Sequence, residues 1–456
     1  MTETTEHRFS GETLTPESAG YDAARSVFNG LVDRRPQRIM RCSSAEQVAA
    51  AIASARADGL PLSVYGGGHG VTGSAVVDGG VCVDLRGIDH VVVDADARTA
   101  RVGGGATWGA FDAATQEHGL AVTGGRVSTT GVGGLTLGSG SGWLERAFGF
   151  VCDNLVSARV VTTDSRIVTA SESENPDLFW ALRGGGGNFG VVTEFTLRLH
   201  PLGPIVFGGM LLYPGFMAVD VLRNWRDYML TAPDAVGSGV ALITAPPAEF
   251  VPEPARGQPC VGVVIAYAGD PDEAPAVLAP LLEFGPPAAN LCQPMPYVAV
   301  QQLLDPPNPK GMHNYWTGDF LTEFPDEAVE AWVEHGFPPV SPLTQLIVVA
   351  GGGAIARVDD DATAFGNRQS PFNLHMLGMW PPDPAQDEQN ISHIRALSAA
   401  MKPWSTGSVY LNFIGDEGLT RVESAYGPEK YARLRGIKRT WDPDNVFRHN
   451  QNIPPA

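Results

Sequence analysis

The sequence predicts an α+β protein assembled from two different folding units. It has 456 residues, of which 43% are hydrophobic and 18% charged, and this composition is typical of a globular chain. The 54 glycines are concentrated in the first half, in clusters at 66–73, 103–105, 124–142 and 184–190. Beyond Pro201 the glycines thin and prolines become frequent. We therefore expect a first domain over residues 1–200, a second over 201–404, and a C-terminal segment, 405–456, that returns to the first.

In the first domain, short apolar runs alternate with glycine clusters. Ser43 and Glu46 have the spacing of a capping box, which predicts a helix start followed by the apolar face of Val48, Ile52 and Ala55. The other predicted elements are a strand at 62–65, a helix at 108–118, a hairpin of 155–163 with 166–170, a short helix at 177–182 and a strand at 191–199.

In the second domain, the sequence predicts antiparallel strands with helices between them. The expected strands are 205–212, 238–245, 260–268, 345–350 and 375–380, and the expected helices are 216–231, 272–282, 326–335 and 386–401. A short strand over 409–413 and a basic helix over 429–440 follow.

Charge and cysteine content exclude several classes of function. Asp and Glu outnumber Lys and Arg by 50 to 31, and a net charge of −19 disfavours nucleic acids and anionic membranes as partners. Residues 1–6 have no secretory pattern, and no apolar run approaches the roughly 18 residues of a membrane span. The five cysteines are an odd number and far apart, so a disulfide framework is improbable and a reducing cytoplasm is expected.

Two glycine motifs indicate close approach of backbone to a ligand. In Tyr65-Gly66-Gly67-Gly68-His69-Gly70, successive N–H groups after a strand are able to converge on an anion such as a pyrophosphate. The alternative is a glycine turn followed by a core histidine. The second motif, 131–142, contains a GxGxxG pattern, but its glycines are too dense for a helix N-terminus, so a Rossmann site is rejected.

A third motif, Asp177 to Thr193 with Gly184-Gly185-Gly186-Gly187-Asn188-Phe189-Gly190, completes a specific order. Together with the C-terminal signature Asp442 to Pro454, it resembles the FAD-linked oxidases of the vanillyl-alcohol-oxidase/PCMH superfamily, in the berberine-bridge-enzyme-like branch. The segments 354–363 and 367–372 resemble the bacterial members that attach flavin through a single histidine. The resemblance covers nearly the whole chain.

This resemblance implies a PCMH-type FAD-binding domain with FAD bonded through its 8α-methyl group to His69. Val127 stands where many relatives have a second, cysteine attachment, so a single bond is expected. Tyr65 stands where relatives often have arginine, which implies that the pyrophosphate is held by backbone amides. The implied cofactor-binding residues are Tyr65, Gly66, Gly67, Gly68, His69, Gly70, Ser128, Thr129, Thr130, Gly131, Gly133, Gly134, Gly142, Asn154, Gly190, Val192, Asn412 and Asn450.

The resemblance also implies catalytic positions. Thr130 falls where this family controls oxygen access, with a packed threonine as the alternative. Tyr410 and Asn412 match a Tyr-x-Asn strand beside the flavin ring, where Tyr410 would accept a proton, with a core tyrosine as the alternative. Candidate substrate residues, each also readable as ordinary core, are Tyr315, Trp316, Gln345, His375 and Trp380. The acidic run 359–361 is read as a solvated loop, and no metal is expected.

We therefore expect an FAD-dependent oxidase that takes hydride from a small organic or secondary-metabolite substrate to flavin N5. Reoxidation by O2 would give H2O2. The alternatives are a flavin-N5-oxide oxygenase, a dehydrogenase with another electron acceptor, and a non-catalytic binding module. The expected partners are a small-molecule substrate and O2.

Overall fold

The computed structural model describes residues 9–456. Residues 1–6, on which the expectation of no secretory pattern depends, lie outside the described residues. The strands are, in chain order, β1 Glu12–Leu14, β2 Arg38–Arg41, β3 Leu62–Tyr65, β4 Val81–Asp84, β5 Val91–Asp94, β6 Thr99–Gly103, β7 Leu120–Ala121, β8 Leu155–Val161, β9 Ile167–Ser171, β10 Val191–Arg198, β11 His200–Pro201, β12 Ile205–Pro214, β13 Val236–Thr244, β14 Pro259–Tyr267, β15 Ala289–Asn290, β16 Gln293–Pro296, β17 His313–Leu321, β18 Gln345–Ala350 and β19 Phe372–Trp380.

The α-helices are α1 Tyr21–Arg25, α2 Ala45–Ala57, α3 Trp108–Gln116, α4 Val132–Leu137, α5 Glu145–Phe148, α6 Pro176–Leu182, α7 Ala218–Met229, α8 Ala274–Val277, α9 Ala279–Leu282, α10 Tyr297–Gln301, α11 Asp326–Gly336, α12 Ala354–Arg357, α13 Asp387–Met401 and α14 Leu419–Trp441. No helix within residues 9–456 is long and apolar enough to cross a bilayer.

Two sheets precede residue 200. The first has the order β1-β2-β4-β3, in which β4 is parallel to both β2 and β3. The second is antiparallel throughout, in the order β5-β6-β10-β8-β9. β3 ends at Tyr65, directly before the first glycine motif, and β10 begins at Val191, directly after the third. Each sheet therefore carries a glycine-rich loop at the end of one strand.

A larger antiparallel sheet follows, in the order β15-β12-β14-β13-β18-β19-β17 with β16 also paired to β12. One of its faces is covered by α7, α11 and α13, and its core includes Leu346, Val348, Leu374 and Met376. Successive strand residues point to opposite faces, so Gln345, Ile347, His375 and Leu377 lie on the face away from these helices. The α+β fold class expected from the sequence is confirmed.

The N-terminal cap of α2 differs from the predicted one by one residue. Ser44, not Ser43, is the cap, and its hydroxyl accepts from the Gln47 N–H at 3.3 Å. The Gln47 amide oxygen in turn accepts from the Ser43 N–H at 2.7 Å. The reciprocal pattern therefore uses Gln47, and the predicted role of Glu46 was wrong.

Two other expectations were wrong. Residues 132–137 form the short helix α4, which begins after Gly131, so the dense glycines do permit a helix start. Residues 411–413 form a turn of 3-10 helix instead of the predicted strand, closed by the Phe413 N–H on the Tyr410 carbonyl at 2.9 Å. The predicted helix 429–440 is confirmed as the second part of α14, which is kinked at Gly427, where φ is +73° before Pro428.

Candidate functional site

A cavity of about 360 Å³ lies between the glycine-rich loops and the uncovered face of the large sheet. Its lining comes from the loop after β3, the segment from 125 to 138, the glycines before β10, the sheet strands β17 to β19 and the C-terminal segment. All three glycine motifs therefore meet at one place, although they are spread over residues 65–190 of the sequence.

The glycines let two loops pass with their backbones in contact. A Cβ at Gly67 would lie 2.3 Å from the Gly131 nitrogen, and one at Gly131 would lie 2.4 Å from the Gly67 nitrogen. Gly68 has a φ of +68°, which few other residues adopt. Among the described residues, the N–H groups of 67–70 have no hydrogen-bond acceptor. Consecutive N–H groups of this kind are a candidate anion-binding nest.

His69 lies half-buried in the cavity wall. Its ring stacks on Phe28, with centroids 4.2 Å apart and planes 23° apart, and its Nε2 lies 2.8 Å from the Thr129 hydroxyl oxygen. Burial lowers the pKa of His69 to about 4, against the opposing charge of Asp305. The imidazole is therefore neutral at physiological pH and keeps a nucleophilic lone pair.

Tyr65 does not line the cavity. Its hydroxyl donates to the Ser26 carbonyl at 2.7 Å, and the Arg86 guanidinium lies 4.0 Å from its ring centroid. Arg86 is held by Asp84 through hydrogen bonds of 2.8 and 2.7 Å. Tyr65 therefore supports the loop on the side away from the cavity. The glycines that follow it present their backbone groups to the cavity.

Thr130, which follows Val127, Ser128 and Thr129 in the chain, lines the cavity. Its N–H donates to the Val127 carbonyl and its carbonyl accepts from the Trp108 N–H, which fixes the backbone of the loop. Ser128 is turned away and donates through N–H and hydroxyl to the two carboxylate oxygens of Asp305, at 2.7 and 2.6 Å. The loop therefore carries the Thr129 hydroxyl toward His69 and places Thr130 in the cavity wall.

Tyr410 and Asn412 do not share a strand face, because the chain turns at 411–413. Asn412 lines the cavity, and its Nδ2 donates to the Leu135 carbonyl at 3.3 Å and to the Tyr410 hydroxyl at 3.1 Å. The Tyr410 hydroxyl also accepts from the N–H groups of Gly140 and Ser141, each at 3.0 Å. Tyr410 is 1% exposed and is not among the cavity-lining residues. Its hydroxyl thus anchors the turn to the second glycine motif.

The large sheet brings Trp316, Gln345 and His375 into the cavity wall. It does not bring Tyr315 or Trp380 there, and their expected role as substrate residues is corrected. Tyr315 lies on the helix-covered face, where its hydroxyl accepts from Arg395 of α13 at 3.2 Å. Trp380 has the same parity as Leu374 and Met376, and its indole N–H donates to Asp387 at 2.8 Å. Side chains alternate between the two faces along β19. The alternation that places His375 in the cavity wall therefore places Trp380 on the opposite face.

Most of the expected cofactor residues lie in the cavity wall. These are Gly66, Gly67, Gly68, His69, Gly70, Thr130, Gly131, Gly133, Gly134, Gly190, Val192, Asn412 and Asn450. Two others are scaffold. A Cβ at Gly142 would lie 1.9 Å from the Gly124 carbonyl oxygen, so Gly142 allows close loop packing. Asn154 donates to the carbonyls of Phe148 and Phe150 and contacts His200.

The C-terminal signature is fastened to the third glycine motif by buried charge. The Lys438 ammonium is fully buried and donates to the carbonyls of Asn188 and Phe447 and to the Asp442 carboxylate, at 2.7, 2.9 and 2.6 Å. Asp442 accepts in turn from the Phe447 N–H at 2.9 Å. This network positions Asn188 and the segment 447–451 along the cavity.

Sequence reasoning missed Arg126, Asn308 and Phe28, all of which line the cavity. A signal existed for Arg126, because it is the single Asp, Glu, Lys or Arg between Glu117 and Glu145. No comparable signal marks Asn308 or Phe28, since their positions depend on how the loops after α10 and α1 fold back.

Comparison with known proteins agrees with this geometry. The chain matches the family described as "FAD binding domain" over residues 36–171 and the family "Berberine and berberine like" over 409–454. It is 30% identical over 457 residues to (R)-6-hydroxynicotine oxidase of Paenarthrobacter nicotinovorans, covering 98% of this chain and 97% of that protein. The protein belongs to the berberine-bridge-enzyme-like FAD-linked oxidases.

Two further comparisons extend over the whole fold. An FAD-linked oxidoreductase of Bacillus subtilis is 29% identical over 459 residues, covering 98% of each chain. The crystal structure of 6-hydroxy-D-nicotine oxidase from Arthrobacter nicotinovorans superposes with a TM-score of 0.88 at 29% identity, covering 99% of this chain and 100% of that one. This berberine-bridge-like protein is thus an FAD-dependent oxidoreductase with a PCMH-type fold.

The residues present fit FAD. The nest at 67–70 suits a pyrophosphate, and the close approach of Gly67 to Gly131 leaves backbone, without side chains, at that wall. The Asn450 amide oxygen and the His449 Nε2 are buried without a partner among the described residues, so both are available to a bound ligand. Within residues 9–456 no cluster of His, Cys, Asp and Glu suits a metal ion.

Proposed function

We propose that this protein is an oxidase that holds FAD through a single covalent bond from His69 and oxidises a small organic substrate with O2. Bound FAD supplies a hydride acceptor at N5 and a route for the electrons to O2, which leaves as H2O2. The observation that carries the proposal is the neutral His69 imidazole, placed beside the 67–70 nest and oriented by Thr129.

The chain's own residues perform three tasks in this proposal. The free N–H groups of 67–70 bind the pyrophosphate, and Asn412 orients the flavin ring from the C-terminal segment. The uncovered sheet face, with Gln345 and His375, binds and orients the substrate. Val127 supports attachment through His69 alone, because it offers no thiol at the neighbouring position.

Thr130 supports direct use of O2. Its side chain lies in the cavity wall and is small enough to leave room for oxygen. We assign Tyr410 an anchoring role instead of the proton-accepting role expected from sequence. Its side chain is buried outside the cavity wall, and burial raises the pKa of this phenol above its ordinary value, while the N–H groups of Gly140, Ser141 and Asn412 lower it in part.

The cofactor arm of the proposal is tested on purified protein by acid precipitation. Yellow flavin should remain in the pellet of the wild type and be lost from the pellet of His69→Ala. His118→Ala is the matched control, because His118 is exposed and lies outside the cavity wall, and this variant should keep the flavin in the pellet. Flavin that washes out of the precipitated wild type would refute the covalent bond.

The activity arm is tested by peroxide production, beginning with (R)-6-hydroxynicotine because of the relative that bears its name. A panel of phenols, secondary amines and oligosaccharides follows. Product that carries ¹⁸O from labelled O2 would replace the oxidase by an oxygenase, and slow reoxidation in air would replace it by a dehydrogenase. A cytoplasmic setting in secondary metabolism stays a prediction, supported by five free cysteines.

A further inference from the structure

A buried carboxyl and a buried amide lie next to the 125–130 loop, outside the cavity wall. The Gln301 Nε2 donates to the Asp112 Oδ2 at 3.1 Å and to the Gly125 carbonyl at 3.4 Å. Asp112 is fully buried, Gln301 is 1% exposed, and Gly125 lines the cavity. One amide group therefore joins a carboxyl on α3 to the backbone of the cavity wall.

The same loop is attached to the first turn of α3. The Trp108 N–H donates to the Thr130 carbonyl at 2.9 Å. The indole of Trp108 packs against the start of the loop, where a Cβ at Gly125 would lie 3.1 Å from its Cδ1. Asp112 follows Trp108 by four residues, so the two side chains are neighbours on one face of the helix. The loop, Trp108 and Asp112 therefore form one continuous set of contacts.

The polar atoms around this carboxyl are not fully paired. Within residues 9–456, the Asp112 Oδ1, the Gln301 Oε1 and the Tyr297 hydroxyl are buried without a hydrogen-bond partner. Buried polar atoms are normally paired, so a group of unpaired ones requires an explanation. Here no bond of Oδ1 or Oε1 has to break when the carboxyl gains or loses a proton, and the change of charge acts on the shared amide.

Among the described residues, no cation forms an ion pair with Asp112. α3 has no other titratable residue. Of the elements packed on it, β5 has the exposed Asp94, β7 has none, and α10 has Tyr297, a phenol whose pKa is raised by burial. Arg126, the charge on the loop, is engaged by Glu145 at 3.2 Å. Burial raises the pKa of the Asp112 carboxyl to about 7, so both protonation states are reached near neutral pH.

Loss of the Asp112 proton to solvent changes the bond that Gln301 makes. A hydrogen bond to an ionised carboxylate is shorter and stronger than one to a neutral carboxyl group. The bond to the Gly125 carbonyl, at 3.4 Å, is already near the limit of hydrogen-bond length. A small shift of the amide toward the carboxylate is therefore enough to release this carbonyl.

We propose that Asp112 is a pH-sensitive positioning residue, which acts through Gln301 on the 125–130 loop. When Asp112 is protonated, the Gln301 amide holds the Gly125 carbonyl and the loop stays against α3. When Asp112 is ionised, the amide is drawn to the carboxylate and the loop loses this anchor. The O–H bond of the carboxyl is the bond that breaks, and its proton goes to water.

The test is hydrogen–deuterium exchange of the flavin-loaded protein, measured by mass spectrometry at pH 6 and pH 8.5 and corrected for the intrinsic pH dependence of exchange. Four N–H groups are bonded within the loop or to it, and they report its release: those of Trp108, Gly109, Ser128 and Thr130. We expect their protection to be roughly fivefold lower at pH 8.5, as for the loss of one hydrogen bond.

Variants separate positioning from a general effect on packing. Asp112→Asn is nearly isosteric and does not titrate, so it should keep the protection of the wild type at pH 6 at both pH values. Gln301→Met removes the amide and should give low protection at both. Gln116→Met is the matched control, because the Gln116 amide bonds to the Leu120 and Leu202 carbonyls and the pH dependence should stay as in the wild type.

The consequence for the flavin rests on the proposed function. The loop carries Thr129, which contacts His69, and Thr130 in the cavity wall. We therefore compare the rate at which O2 reoxidises the dithionite-reduced protein in the wild type and in Asp112→Asn. The ratio of the two rates should change at least about twofold between pH 6 and pH 8.5.

The results distinguish the positioning role from the oxidase. Loop protection that is independent of pH in the wild type would overturn the positioning role, as would a pH dependence that persists in Asp112→Asn. An equal change in peptides from β18 would assign the effect to global unfolding and overturn it as well. A constant ratio of reoxidation rates would overturn only the consequence for O2. Loop protection that titrates in a protein that makes no peroxide would retain the positioning role and reject the oxidase.

Discussion

The Nε2 atom of His69 lies 2.8 Å from the Thr129 hydroxyl oxygen, and this contact sets the orientation of the imidazole. The neighbouring Ser128 is bound through its N–H and hydroxyl to Asp305, so the loop that carries Thr129 is itself fixed. With Phe28 stacked on the ring, His69 has little freedom to turn. A nucleophile held in this way reacts faster than a mobile one, because its orientation entropy is already lost.

Removal of the Thr129 hydroxyl should therefore slow covalent flavin attachment. Thr129→Val keeps the side-chain volume and removes the hydrogen bond, which is worth about 1 kcal/mol and corresponds to roughly fivefold in rate. The measurement is the fraction of chains that carry protein-bound flavin fluorescence after denaturation, followed over time when apoprotein is mixed with FAD. Thr322→Val is the control, because its hydroxyl donates to the Trp404 carbonyl just beyond β17, outside the cavity wall. Unchanged attachment in Thr129→Val would remove Thr129 from this role.

Tyr410 is expected to matter for stability more than for proton transfer. Tyr410→Phe removes the acceptor of three N–H groups, from Gly140, Ser141 and Asn412, and each buried donor without a partner costs about 1–3 kcal/mol. Thermal unfolding should therefore begin several degrees lower. Flavin reduction by the substrate found in the peroxide assay, measured anaerobically below that temperature, should change little. A large loss of reduction rate with wild-type stability would instead make Tyr410 the proton acceptor.

The sequence predicted the fold class and the segments that line the cavity because glycine carries a local signal. Where a backbone must pass another backbone, as Gly67 passes Gly131, no other side chain fits, and the requirement is visible in one segment alone. The apolar periodicity of the large sheet likewise predicted β18 with its observed bounds.

The parts that were missed depend on distant contacts. The turn at 411–413 is set by Tyr410 and Asn412 bonding to residues some 270 positions earlier, and such bonds override the strand propensity of the segment. Tyr315 and Trp380 were misplaced because a strand's parity relative to the core is fixed only once its neighbours are known. For the same reason Asn308 and Phe28 were missed.

Thr130 provides a prediction about oxygen. Thr130→Leu fills part of the cavity beside residue 130 and, if Thr130 controls oxygen access as proposed, should slow the reaction of dithionite-reduced enzyme with O2 about tenfold, equivalent to roughly 1.4 kcal/mol. Thr130→Val preserves the shape of the side chain and removes its hydroxyl. A smaller loss of reoxidation rate in Thr130→Val than in Thr130→Leu would show that the size of the side chain controls the reaction with O2. Stopped-flow absorption of the reoxidised flavin measures both. Thr72→Val, whose hydroxyl accepts from the Ser74 N–H elsewhere in the cavity wall, should reoxidise at the wild-type rate.

Asp112 is expected to make the free energy of unfolding depend on pH. This carboxyl is fully buried between α3 and α10, accepts from the Gln301 amide at 3.1 Å through Oδ2, and leaves Oδ1 without a partner among the described residues. Burial raises its pKa to about 7, and the hydrogen bond from Gln301 opposes this only in part. The folded protein therefore binds a proton that the unfolded chain, with an ordinary pKa near 3.9, releases.

The sign of the effect follows from which state holds the proton. Between about pH 4 and pH 7 the folded state holds more protons than the unfolded state. The contribution of Asp112 to the free energy of unfolding therefore falls by roughly 1.4 kcal/mol per pH unit as pH rises, and levels off above pH 7. Asp112→Asn removes the titration while its amide oxygen still accepts from Gln301.

Asp112→Asn should then match the wild type near pH 4.5 and exceed it at pH 8 by up to about 4 kcal/mol in the free energy of unfolding. Urea denaturation of the two proteins at several pH values measures the difference. Glu117→Gln is the matched control, since Glu117 is exposed just beyond the same helix and its removal should leave the pH dependence unchanged. If the free energies of unfolding of Asp112→Asn and the wild type differed by the same amount at all pH values, Asp112 would be an ordinary ionised carboxylate. Its unpaired Oδ1 would then require a buried water as a hydrogen-bond donor.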